Sequence, residues 1–116
     1  MTREFVRLPE FEKQCKHIGL SEEDITEIEK ALLSDPLIGG VMRGTGGIRK
    51  FRIALPNRGK SGGARVIYID FAYYQKIYLL TVFTKNETEN LNQSERNELK
   101  AFIKTLESEL RKKGLS

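Results

Sequence analysis

Residues 46–85, GGIRKFRIALPNRGKSGGARVIYIDFAYYQKIYLLTVFTK, decide the fold, because they contain three strand-like runs separated by short connections. The predicted strands occupy residues 48–55, 64–71 and 76–84, and each is rich in β-branched and aromatic side chains. Connections this short join antiparallel neighbours. The stretch therefore predicts an antiparallel meander of at least three strands.

The same stretch carries the unbalanced positive charge of the chain. It holds eight basic residues against one acid, Asp70, whereas the other residues hold twelve basic and fifteen acidic side chains. The net charge of +4 is therefore a local feature. The eight basic residues are Arg49, Lys50, Arg52, Arg58, Lys60, Arg65, Lys76 and Lys85. A concentrated cationic sheet with interleaved tyrosines indicates a polyanionic partner, most simply nucleic acid.

Alternation along the first strand separates its basic residues into two faces. Arg49 and Phe51 point one way, while Lys50 and Arg52 point the other way and project side by side. Arg65 on the next strand is expected to join Lys50 and Arg52.

Tyrosines in the same stretch are candidate stacking surfaces for RNA bases, with Tyr68 and Tyr78 as the first choices. At least two of the four tyrosines in the stretch are expected to pack in the core instead. The structural alternative for the charge is a solvated sheet whose basic side chains discourage edge-to-edge aggregation.

Helix signals lie on both sides of the predicted sheet. A short strand is predicted within residues 3–8, followed by a helix that begins at Pro9 and stops at Gly19. A second helix is capped by Ser21 and ends before Asp35-Pro36. Glycines within residues 36–47 predict a flexible approach to the sheet.

The final helix has signals at both ends. Asn92 is a capping residue with Glu95 three positions later, and Gly114 is the expected stop. The predicted fold class is α+β, with an N-terminal helical hairpin packed on a small antiparallel sheet and a C-terminal helix. Residues 1–116 are expected to form one domain.

Composition argues against several classes of protein. No apolar run approaches the ~20 residues that span a bilayer, and the charged N-terminus lacks the pattern of a signal peptide, so a cytoplasmic location is expected. Cys15 is the only cysteine and His17 the only histidine. A metal site and a cofactor are therefore not expected, and enzymatic chemistry would depend on Lys, Arg and Tyr side chains.

Residues 54–61, ALPNRGKS, fit a loosened phosphate-loop pattern. That motif requires a helix after the loop, so that backbone N–H groups and the helix dipole converge on phosphates, and here a strand follows. The context disfavours nucleotide hydrolysis. It favours a hairpin loop whose Arg58 and Lys60 contact a polyanion.

Four segments resemble the RelE/HigB group of bacterial type II toxins, within the RelE/ParE superfamily. They are GTGGIRKFRIA, GGARVIYIDF, YLLTVFTKNE and the asparagine-rich turn into the final helix, and they run in order over residues 44–102. The resemblance implies a small ribosome-dependent endoribonuclease that cuts translated mRNA. It also implies two partners, a cognate antitoxin and the ribosome with its mRNA.

Carried over by position, the resemblance assigns catalysis to Lys50, Arg52, Arg65 and Lys85. This sequence departs from the family at Asn86, where RelE has an arginine. The identity of the general base therefore stays open. Arg49, Arg58, Lys60 and the two tyrosines above are the candidate RNA-binding residues.

The mechanism implied is attack by the RNA 2′-hydroxyl without a metal ion, with Arg65 stabilising the phosphorane, Arg52 clamping the phosphate and Lys50 as candidate base. Two alternatives remain. One is a ParE-like poison of DNA gyrase, and the other is a noncatalytic RNA- or ribosome-binding module.

Overall fold

The computed structural model describes residues 2–54, 63–84 and 92–115, and within these ranges the chain forms three layers. A pair of helices covers one face of a sheet and a long helix covers part of the other. This arrangement confirms the predicted α+β class. The elements are β1 (Glu4–Arg7), α1 (Pro9–Ile18), α2 (Glu22–Ser34), β2 (Gly40–Val41), β3 (Arg49–Ala54), β4 (Gly63–Phe71), β5 (Lys76–Thr84) and α3 (Gln93–Leu115).

The sheet has five strands in the order β1-β5-β4-β3-β2. The predicted meander is confirmed, because β3 pairs antiparallel with β4 and β4 antiparallel with β5. The whole sheet is mixed, because the additional strand β1 lies parallel to β5 with Glu4 opposite Lys76. Residues so far apart in sequence leave no local signal of their pairing.

Local side-chain chemistry sets the helix ends. Pro9 occupies the first turn of α1, and Gly19 ends it in the left-handed conformation at φ 79°, with its N–H directed at the last carbonyls. Ser21 and Asp24 form a reciprocal capping box at the start of α2. All three signals were visible in the sequence.

A second reciprocal cap starts α3. The Glu95 N–H donates to Asn92 Oδ1 at 2.8 Å, and the Asn92 N–H donates to Glu95 Oε1 at 3.0 Å. The predicted stop at Gly114 is one residue early, since α3 extends to Leu115.

Two hydrophobic cores lie on opposite faces of the sheet. The first joins α1 and α2 to one face, with Phe11 and Leu32 fully buried against Val66. The second joins α3 to the other face, with Ile103 and Leu110 packed on strand residues. Each alternate residue of β4 therefore belongs to a different core, which explains its nearly continuous apolar sequence.

The expectation of a flexible approach is wrong for β2, which pairs with the start of β3 and forms the edge of the sheet. The turn between these strands is held by Thr45, a fully buried polar residue. Its Oγ1 donates to the Met42 carbonyl at 2.6 Å and accepts from the Ile48 N–H at 3.2 Å. Glycine content indicated mobility, but the threonine organises the turn.

Candidate nucleic-acid interface

Three cations share one face of the sheet. Lys50 and Arg52 alternate with the buried Phe51 on β3, so both project away from the α1–α2 side. Arg52 lies directly opposite Arg65 in the β3–β4 register. Lys50, Arg52 and Arg65 are called the cationic cluster below, and the structure brings them together as the alternation predicted.

The cationic cluster lies on the same face as the second core but at the other end of β4. Arg65 is followed on this face by the buried residues Ile67 and Ile69, which pack with α3. Arg52 is exposed, whereas Arg65 is half-buried and its Nη1 atom is sealed from solvent. Burial of one nitrogen restricts the guanidinium of Arg65, whereas the guanidinium of Arg52 is accessible to a ligand.

The Arg52–Arg65 pair is electrostatically unusual for a sheet. Like charges directly opposite each other on neighbouring strands destabilise the pairing. Gly63, also on this face, adds no side chain beside them, although a Cβ there would meet Arg52 Cγ at 3.9 Å, an ordinary contact distance. Two guanidiniums held this way can grip an anion such as a phosphate through charge-assisted hydrogen bonds.

Strand β5 adds two side chains that the sequence analysis missed. Phe83 lies opposite Arg65, and Thr81 lies opposite Ile67 in the row that includes Lys50. Both are half-buried and share the face of the cationic cluster. The register of β4 against β5 is the signal that identifies them. A bulge at Leu80 shifts this register, because Ile67 pairs with Thr81 whereas Tyr68 pairs with Leu79.

Arg49 does not join the cationic cluster. It points to the opposite face, and its Nη1 donates to the carbonyl oxygens of Gly39 at 2.6 Å and Leu37 at 3.4 Å. These contacts tie the α2–β2 connection to β3. Arg49 therefore has a structural role, and its contact with RNA stays a prediction.

Tyr68 is a core residue and offers no ring face to a base. Its side chain is 0% exposed and packs edge-on against Phe51 at 5.6 Å between ring centroids. Its hydroxyl donates to the Pro36 carbonyl at 3.0 Å and accepts from the Gly39 N–H at 3.2 Å. Burial raises the pKa of the hydroxyl. The stacking role predicted for Tyr68 is incompatible with this position.

Tyr78 lies beneath α3 rather than beside the cationic cluster. It pairs with Ile69, four residues along β4 from Arg65, which corresponds to about 13 Å of strand. Its ring packs edge-on against Phe71 at 5.4 Å, and burial raises the pKa of its hydroxyl. The structure therefore gives Tyr78 a packing role.

Three predicted contacts, Arg58, Lys60 and Lys85, lie outside the described residues, as do Asn86 and residues 55–61 of the phosphate-loop pattern. Their roles stay predictions. Within the described ranges, no three His, Cys, Asp or Glu side chains are grouped as metal ligands. No helix in those ranges is both long and apolar enough to cross a membrane.

The protein thus has a small α+β fold. One face of its sheet presents Lys50, Arg52 and Arg65 beyond the part that packs against α3. A family model described as the RelE toxin of the RelE/RelB toxin-antitoxin system matches residues 6–115. The chain belongs to this family of toxins.

A solved structure agrees with the fold. The chain is similar to a mutant of the E. coli toxin RelE in the free state, with a TM-score of 0.54 and 17% sequence identity. The match covers 77% of this chain and 90% of the E. coli chain. At this identity the likeness concerns the fold, so the roles of individual residues rest on the geometry above.

Proposed function

We propose that this toxin is an endoribonuclease that cleaves mRNA during translation in the cytoplasm and is neutralised by a cognate antitoxin. The observation that carries the proposal is the cross-strand pair of Arg52 and Arg65 with Lys50 on the same face. RNA cleavage by its own 2′-hydroxyl needs stabilisation of a phosphorane, and positively charged donors fixed on a sheet suit that task.

In the proposed reaction the 2′-oxygen attacks the adjacent phosphorus and the bond from phosphorus to the 5′-oxygen breaks. The products are a 2′,3′-cyclic phosphate and a 5′-hydroxyl. A base takes the proton of the 2′-hydroxyl, and an acid gives a proton to the departing 5′-oxygen. In these steps one bond to phosphorus forms, one breaks, and one proton is removed and one donated, so they balance without a metal ion.

Roles follow from position. Arg65, with one guanidinium nitrogen sealed from solvent, is proposed to stabilise the phosphorane, because a fixed donor loses little freedom on binding. The exposed Arg52 clamps the phosphate or protonates the leaving oxygen. Lys50, one row further along the same face, is the proposed base. Lys85 remains a predicted fourth member.

Phe83 replaces the tyrosines as the proposed stacking surface. It lies opposite Arg65 and is half-buried, so one part of its ring packs on the second core while another part is accessible. Stacking of an aromatic ring on a base is tolerant of sequence. A base stacked on Phe83 would lie next to the phosphate that the two arginines are proposed to hold.

The test is cleavage of an mRNA on translating ribosomes, read by primer extension and by end-group analysis. Arg65→Ala is expected to lower kcat by about 100-fold or more, because it removes a transition-state donor. Lys50→Ala should also cut poorly. Lys13→Ala, which removes an exposed lysine from α1, is the matched control and should cut like wild type.

Equal cutting by all four proteins would refute the site assignment. DNA damage without RNA cleavage in cells would indicate a gyrase poison instead, and ribosome binding without any cut product would indicate a noncatalytic binder.

A further inference from the structure

A cleft of about 240 Å³ lies between one flank of α3, the turn before β3 and the end of β4. It is called the α3 cleft below. Ile69 lines it, and this residue is four positions along β4 from Arg65, which corresponds to about 13 Å of strand. The α3 cleft is therefore separate from the cationic cluster, although both lie on the same face of the sheet.

The floor of the α3 cleft is apolar and is left open by two glycines. Ile69 and Ile103 line the cleft and belong to the second core. A Cβ at Gly46 would lie 3.8 Å from Ile103 Cγ2, and one at Gly47 would lie 3.6 Å from Ile69 Cδ1. Longer side chains at these two positions would extend over the isoleucines. Their absence leaves space for an apolar group of a ligand.

Two tyrosines of a single 3₁₀ turn, Ala72–Tyr74, form another wall of the α3 cleft. Tyr73 is 90% exposed, whereas Tyr74 packs against the second core, and their rings meet edge to face at 5.0 Å between centroids. The turn is tied to β1, because the carbonyl oxygen of Gln75 accepts from the Glu4 N–H at 2.8 Å. An exposed tyrosine ring on a turn fixed in this way is a surface on which a cation can lie.

Glu107 supplies the negative charge of the α3 cleft. It is half-buried on α3, and in the part of the chain that the structure describes its carboxylate forms no hydrogen bond or ion pair. Asp70, the other acid beside the cleft, differs because its carboxylate accepts from Arg3 Nε at 2.8 Å and from Arg3 Nη2 at 3.1 Å. A carboxylate beside aromatic and aliphatic groups favours an organic cation over an anion or a neutral molecule.

The surroundings of the α3 cleft favour a small ligand with a single positive charge. Lys100 precedes Glu107 by seven residues and Arg111 follows it by four, so both cations lie on the same flank of α3. These cations repel a partner that carries several positive charges, such as a polyamine or a basic protein. The volume is also below the ~300–1,000 Å³ of typical pockets for larger ligands.

We propose that the α3 cleft binds a free, small organic monocation, an alkylguanidinium or an alkylammonium. Its charged group lies between the carboxylate of Glu107 and the ring of Tyr73, and its alkyl chain lies on Ile69 and Ile103. A planar guanidinium suits the site better than an ammonium, because it donates paired hydrogen bonds to a carboxylate and stacks on an aromatic ring. The proposal does not depend on RNA cleavage, since the α3 cleft and the cationic cluster lie at opposite ends of β4.

The test is titration of the full chain with n-butylguanidinium chloride, followed by the methyl and amide NMR signals. Saturable shifts are expected at Ile69, Ile103 and Gly46, with a Kd on the order of 1 mM for a ligand this small. n-Butylurea has nearly the same shape without the charge and should bind at least about fivefold more weakly. n-Butylammonium should bind more weakly than n-butylguanidinium but more tightly than n-butylurea.

Charge variants of α3 separate the cleft from a general effect of charge. Glu107→Gln is expected to weaken n-butylguanidinium binding at least about fivefold. Glu109→Gln, the matched control, removes the same charge about 200° around the helix and should stay within about twofold of wild type. Arg111→Gln removes a nearby like charge and should bind at least as tightly as wild type. Tyr73→Ala should weaken binding about threefold, and Tyr73→Phe should restore it.

Three results would overturn the proposal: equal weakening by Glu107→Gln and Glu109→Gln, no weakening by Glu107→Gln, or binding of n-butylurea as tight as that of n-butylguanidinium. A blocked glycyl-arginyl-glycine tripeptide tests the other source of the same cation. Tighter binding of the tripeptide than of n-butylguanidinium would assign the cleft to an arginine side chain of a partner protein and overturn the free ligand. Amide spectra that are unchanged outside the cleft establish that each variant is folded.

Discussion

At the scale of the residue, neighbouring positions on one strand have unrelated tasks. Arg49 holds backbone carbonyls on one face of β3, while Lys50 and Arg52 project from the other. The period of two in the sequence predicted this division correctly. Net charge takes no account of strand alternation, and it therefore places Arg49 among the predicted RNA contacts. Strand parity is the better guide to a site than charge density.

The tyrosines, unlike the basic residues of β3, have positions that their local sequence does not predict. A tyrosine in a basic sheet suits RNA, but Tyr68 is in the core because its β4 position faces α1 and α2. Its hydroxyl finds partners in the α2–β2 connection, at Pro36 and Gly39. That pairing joins residues about thirty positions apart, and no local pattern in the sequence reveals it.

Tyr68→Phe is therefore expected to destabilise the protein without affecting catalysis. The change leaves the Pro36 carbonyl and the Gly39 N–H buried without the hydroxyl, at a cost of about 1–3 kcal/mol in the free energy of unfolding. Urea denaturation measures the loss, and cleavage at a temperature where the variant is folded tests the second part. A strong fall in kcat with normal stability would show that the hydroxyl acts in the reaction.

At the scale of the element, β2 depends on a close approach of two backbones. A Cβ at Gly39 would lie 2.4 Å from the carbonyl oxygen of Lys50, whereas a Cβ at Gly40 would meet nothing within 4 Å. Both glycines precede the same turn, but only Gly39 must be a glycine, because a Cβ there would collide with the neighbouring backbone. The glycines of this region are therefore explained by close packing as well as by turns.

Gly39→Ala is expected to push the start of β2 away from β3 and to destabilise the protein by about 1–3 kcal/mol, as overpacking does. Because the strained neighbour is the backbone of Lys50, cleavage should fall as well. Gly40→Ala is the adjacent control and should retain wild-type stability. Thermal unfolding and cleavage of both variants provide the comparison, and equal behaviour of the two would contradict the close approach.

The elements that the sequence predicted well are those with local signals. Caps, stops and period-two runs placed α1, α2, α3 and the β3–β5 meander within one or two residues. The edge strands are different. The strand predicted within residues 3–8 is confirmed as β1, but its pairing with a strand some seventy residues later was not predicted, and neither was β2, which is only two residues long. Their existence depends on tertiary contacts, which override weak local preferences.

At the scale of the whole molecule, one sheet links two cores, so damage on one face should be felt on the other. Cys15 lies in the first core, and burial raises the pKa of its thiol to about 11. The thiol is therefore neutral and protected near pH 8, and it becomes reactive only when the first core opens. Ile103 lies in the second core, on the opposite face.

Ile103→Ala is expected to lower the free energy of unfolding by about 2–5 kcal/mol. Alkylation of Cys15 should then begin at the same lower urea concentration at which far-UV circular dichroism is lost, since two cores that share one sheet are expected to unfold together. Phe102→Ala, next to it and 43% exposed, is the control with a small effect. Early loss of circular dichroism with Cys15 still protected would show that the cores unfold separately.

The parallel pairing of β1 with β5 has a consequence for the order of synthesis. Glu4 and its neighbours leave the ribosome well before their hydrogen-bonding partners, which begin at Gln75, whose carbonyl accepts from the Glu4 N–H at 2.8 Å. Domains form during synthesis as their partners emerge, and contacts between distant residues are slow to close. The sheet therefore acquires this edge only after β5 has been translated, and β1 stays without its partner strand until then.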